Sequence, residues 1–137
     1  MRRLITVSLL LAAASVGAAD ARAPVDLPPM MQQHMLANMR DHLEALDTIL
    51  AELGAGRYDA AAATAEQRLG MSSLDAHGAR HMAGHMPAAM QALGTAMHRA
   101  ASRFARTAQE GDLAAATRAL GEVSAACVAC HRAYRLR

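Results

Sequence analysis

The 137-residue chain has 14 basic residues, all of them arginine, against 12 acidic ones, for a net charge of +2. The arginines are scattered, which excludes the clustered basic face of a nucleic-acid binder, and two cysteines cannot supply a four-cysteine zinc site. With no tryptophan, two tyrosines and one phenylalanine, a core would lack the large rigid groups that usually supply much of its buried area.

The first segment reads as a secretory signal. Arg2 and Arg3 form a short positive start, Leu4 to Val16 an uncharged apolar run, and Gly17 and Ala19 the small residues of a cut before Asp20. The apolar run is about 13 residues, short of the about 20 that span a bilayer. The expected organisation is a cleaved signal peptide over 1–19 and one exported, periplasmic domain over 20–137, with no membrane span after cleavage. Losing Arg2 and Arg3 leaves that domain neutral.

Four helices follow in chain order. Pro28 and Pro29 open the first, along which Leu36, Met39, Leu43, Leu46, Leu50 and Leu53 recur at spacings of three and four. Gly54 and Gly56 end it. The second runs from about Tyr58 to Leu69, with Tyr58, Ala61, Ala62, Ala65 and Leu69 on one face, and Gly70 stops it. Met71 to His85 is irregular, interrupted by Ser72, Ser73, Gly78 and Gly84. Pro87 then opens a third helix with Met90, Leu93, Met97, Ala100 and Phe104 as its stripe. Gly111 breaks it, Asp112 is placed to cap the last helix, and Leu113, Ala116, Leu120, Val123 and Cys127 continue a buried face towards Arg135 and Arg137. No period-two run or hairpin signal occurs. The expected fold is all-α, an antiparallel four-helix bundle.

Cys127-Val128-Ala129-Cys130-His131 is a c-type haem attachment pattern. On a helix these three side chains stand at i, i+3 and i+4 and share one face. Two thiols can then add to the two porphyrin vinyl groups along one side, leaving the imidazole of His131 pointed at the iron. A thioredoxin-like redox pair would need a strand before the motif and a helix after it. Here the motif closes a helix, so one covalent haem c on Cys127 and Cys130, with His131 as proximal iron ligand, is the expected cofactor.

A motif in the last of four helices, extended as Cys127-x-x-Cys130-His131-x-x-Tyr134-Arg135, resembles the class II c-type cytochromes, the family of cytochrome c prime and its low-spin relatives. Glycine before Tyr58-Asp59-Ala60-Ala61 resembles the same family, while the Arg-Gln pair common in its first helix is absent here. The resemblance implies a distal residue from the first helix: a methionine closes the iron for electron transfer, a leucine leaves it open to small gases. Counting back from Tyr58 by the family's usual spacing lands near Asn38, between Met35, Leu36 and Met39. Met39 lies on the leucine seam and is the expected distal ligand, with Met35 second and an open site the alternative. The resemblance also implies a possible homodimer through the first two helices.

His77, His81 and His85 stand at i, i+4 and i+8. On a helix they would line one face and could hold a second metal, but Gly78 and Gly84 weaken that helix, and solvated histidines or a contact to a haem propionate compete. His34, His42 and His98 read as surface or core. The expected function is a periplasmic one-electron carrier, not an enzyme, working with redox partner proteins that the sequence does not identify. The alternatives are a five-coordinate NO- or CO-binding protein with an open distal site, and a haem-free copper-binding bundle built on ten methionines and seven histidines.

Overall fold

The structure is a computed structural model that describes residues 20–137; the signal peptide expected over 1–19 lies outside the described residues. Helix α1 spans Pro29–Gly54, α2 Tyr58–Arg68, a 3-10 turn Met71–Ser73, α3 Ala79–Ala83, α4 Ala88–Ala108 and α5 Leu113–Ala133. The four long helices are those expected. The irregular segment contributes α3 and the 3-10 turn besides.

Local chemistry explains the breaks. Gly56 turns α1 into α2 with φ of 71°, a left-handed conformation that glycine adopts at least cost, and Arg57 closes the turn by pairing with Glu52. At the start of α5, Asp112 Oδ1 accepts from Ala114 N at 2.8 Å and Ala115 N at 3.1 Å. These bonds occupy two of the backbone donors that a helix start leaves free.

α1 packs along α2, α2 along α4 and α4 along α5. The main core is built largely of alanine, including Ala45, Ala61, Ala65, Ala101, Ala108 and Ala116, all at 0 % exposure, around Phe104 and Ile49. Small side chains let these helices approach closely. They also leave little large apolar volume to bury.

Two expectations are corrected. The last helix does not run on to the C-terminus: it ends at Ala133, and Tyr134–Leu136 form a strand, β2, paired in parallel with β1, Ala23–Val25. The ladder matches Ala23 with Tyr134 and Val25 with Leu136. It is tied further by Arg137 N donating to Val25 O at 3.3 Å and by the Gln32 side chain on Arg137 O. This pairing joins the two ends of the described chain, so no local sequence pattern announces it.

The second correction concerns the face of α1. Its buried residues are Met35, Asn38, His42, Ala45, Ile49 and Leu53, whereas Leu36, Leu43 and Leu50 are 42, 68 and 60 % exposed. The leucine seam is rotated off the core: Asn38 finds a hydrogen-bond partner inside, and the His42 ring packs against those of His77 and His98. Asn38 Nδ2 donates to His77 O at 3.0 Å, and such a bond removes most of the cost of burying an amide.

By length and composition α5 is apolar enough to cross a membrane. Alanine is its commonest residue, and Ala116, Leu120 and Val123 are its buried residues in the bundle.

Candidate functional site

α1 and α5 make no continuous contact of the kind that joins α4 to α5. A cavity of about 500 Å³ lies where α1, α4, the C-terminal end of α5 and the 74–86 segment face one another. Six methionines line it: Met35 and Met39 from α1, Met82 and Met86 from the loop side, and Met90 and Met97 from α4. Met35 and Met82 are buried in a small second core with Val25 and Leu27, on which Met39, Tyr134 and Leu136 also pack. The β1–β2 ladder thus closes one end of the cavity. A second recess of about 480 Å³, between α2 and α4, shares no residue with it.

Cys130 and His131 line the cavity from α5. Cys127, one turn earlier, is half-buried against the edge of the alanine core. The two cysteines are not bonded to each other, and burial pushes both thiols above their ordinary pKa. They are therefore protonated at neutral pH, the form whose S–H can add across a vinyl double bond. Both α1 methionines reach the same cavity, Met35 buried and Met39 half-buried, and Leu36 reaches it from its exposed side.

Charge at the site is arginine. Arg22, Arg80 and Arg135 all border the cavity. Arg135 Nε is buried and makes no hydrogen bond, although Asp20 Oδ2 stands 3.3 Å away out of line. A buried Nε–H without an acceptor, on an arginine at the edge of an apolar cavity, suits a ligand that brings its own carboxylates. Volume, apolar wall, adjacent thiols and an unmet cationic donor together fit a haem.

The histidines fall out differently from the sequence pattern. α3 is one turn long, His81 and His85 are exposed, and only His77 of that set faces the cavity. The i, i+4, i+8 line is therefore not formed. His77 meets His42 and His98 instead, with ring centroids 4.8 and 5.4 Å away. His42 and His98 carry no local signal beyond a surface or core role, and nothing in the sequence joins three residues from three separate segments.

A helical bundle whose last helix carries Cys-x-x-Cys-His beside an apolar cavity has the make-up of a c-type cytochrome. The family model described as Cytochrome C' matches residues 30–135, and the chain belongs to that family. No curated protein and no solved structure matches it. Membership makes the chain a monohaem c-type cytochrome with covalently bound haem c, which sets aside a haem-free copper bundle. Members of this family are generally haem carriers or gas binders rather than conventional enzymes, and are typically periplasmic.

Proposed function

We propose that the protein is a periplasmic one-electron carrier, its haem thioether-linked to Cys127 and Cys130, with His131 as proximal ligand and Met39 as distal ligand. The observation that supports this most is that His131 of α5 and Met39 of α1 line one cavity whose wall is otherwise largely thioether and aliphatic. The haem supplies a single-electron Fe(II)/Fe(III) couple.

The chain's own residues do the rest. Cys127 and Cys130 hold the porphyrin edge on one helix face, which keeps the cofactor within a small domain. The methionine wall excludes water, and Met39 closes the position that a small gas would take; methionine ligation also raises the reduction potential relative to an open site. Arg22, Arg80 and Arg135 offer guanidinium donors to the propionates, and charge-assisted bonds of this kind are the stronger ones. No acid–base pair for substrate chemistry is part of this reading, so a non-enzymatic role follows. A homodimer, an option the resemblance brings, gains a candidate surface in the exposed Leu36, Leu43 and Leu50.

CO added to the reduced protein tests the choice between carrier and gas binder. Slow or weak binding limited by loss of the methionine is expected, and Met39→Ala should give a five-coordinate, high-spin spectrum with fast CO binding. Fast CO binding by the unaltered protein, or a low-spin spectrum unchanged in Met39→Ala, would overturn the assignment. Met35 is the second choice, and Met35→Ala should leave the spectrum low-spin.

A further inference from the structure

The imidazoles of His42 from α1, His77 from the loop before α3 and His98 from α4 are each 8 % exposed. Their ring centroids stand 4.8, 5.4 and 6.0 Å apart. Three imidazoles bound to one tetrahedral ion at Zn–N of about 2.0–2.1 Å have centroids about 5 Å apart. We propose that His42, His77 and His98 form a second metal site, a three-imidazole centre for a divalent transition ion such as Zn²⁺, separate from the haem iron.

Hydrogen bonding assigns the tautomers. His98 Nδ1 lies 2.7 Å from Leu69 O, so it carries the proton and donates it to that carbonyl. Ser73 Oγ donates its only proton to Gly70 O at 2.7 Å. It can therefore only accept from His77 Nδ1 at 3.3 Å, and His77 too is protonated at Nδ1. Both rings keep a free lone pair at Nε2, and His42 Nε2 is buried with no partner. A ligand histidine that donates its other N–H to a carbonyl or hydroxyl is the usual outer shell of a metal site, where it fixes tautomer and orientation.

The backbone around His77 is held as firmly. His34 Nε2 and Asn38 Nδ2 both donate to His77 O at 3.0 Å. Gly78 follows at φ of 63°, and a side chain there would meet His34 Nε2 at 3.0 Å. One helix, α1, is thus tied twice to the loop that delivers this one imidazole. The nearest carboxylate, Asp41, is engaged by Arg68. Among the described residues, no three side chains are already arranged to hold an ion. His42 Nε2 has no hydrogen bond to give up on binding an ion.

An all-imidazole set suits zinc, copper or nickel rather than calcium or magnesium. The test uses the haem-loaded protein, stripped of other metals and titrated with Zn²⁺ against a chromophoric chelator. One equivalent should bind, and the zinc X-ray absorption edge should show three nitrogen neighbours at about 2.0 Å. His42→Gln and His98→Gln should each weaken binding by more than about 100-fold, and Ser73→Ala by about 10–100-fold, while His81→Ala and His85→Ala leave it unchanged. No bound zinc, binding that survives His42→Gln, or binding that follows His81 or His85 would overturn the proposal. The absorption edge of the unaltered protein decides even if a variant fails to fold, and haem content read on the same samples separates this claim from the haem assignment.

Discussion

Asp112 shows how far a single residue can be read from its neighbours. A glycine before it and a run of helix formers after it place it as a cap, and its carboxylate takes the two backbone protons that this role requires. Asp112→Ala should destabilise the protein by about 1 kcal/mol in urea unfolding, and no loss would mean that the cap contributes nothing. His42 shows the opposite case. Nothing within four residues on either side of it in the sequence points to His77 or His98, because the contact exists only once α1, the loop and α4 are assembled. Cys127, Cys130 and His131 lie between these extremes. Their spacing is legible as chemistry, and only the fold shows that Cys130 and His131 face a cavity while Cys127 leans on the core.

At the scale of elements, the four long helices were legible because their breaks are written in proline, glycine and aspartate. The faces of α2, α4 and α5 were largely legible too. Ala61, Ala62, Ala65 and Leu69, then Met97, Ala100 and Phe104, then Ala116, Leu120 and Val123 are buried as their periodicity implies. α1 failed because hydrophobicity alone ranked Leu43 and Leu50 above Asn38 and His42, and tertiary partners reversed that ranking. The two registers predict different mutant stabilities. Leu43→Gln should change unfolding free energy by less than about 0.5 kcal/mol, whereas Ile49→Ala should cost about 2–5 kcal/mol. Equal losses in the two variants, measured by denaturant unfolding, would return the leucine seam to the core. The short strands were not legible at all, since three-residue segments at the two ends of the domain carry no period of their own.

Across the whole molecule, composition and cavity explain each other. A bundle with three aromatic side chains among its described residues and a core of alanine holds its helices close along α1–α2, α2–α4 and α4–α5, and keeps α1 and α5 apart at one end. The space between them is of the kind a large flat apolar cofactor fills, so haem completes the core of the bundle. Anything that binds the folded chain and not the unfolded one stabilises it, and a thioether-linked group cannot be lost by dilution. The central claim is therefore that Cys127 and Cys130 carry this group. Its most direct test is a pyridine haemochrome spectrum with intact mass, on protein matured with the c-type haem attachment machinery. The account predicts one covalent haem per chain, lost when both cysteines become serine. Protein without covalent haem, or haem retained covalently in the double serine variant, would contradict it.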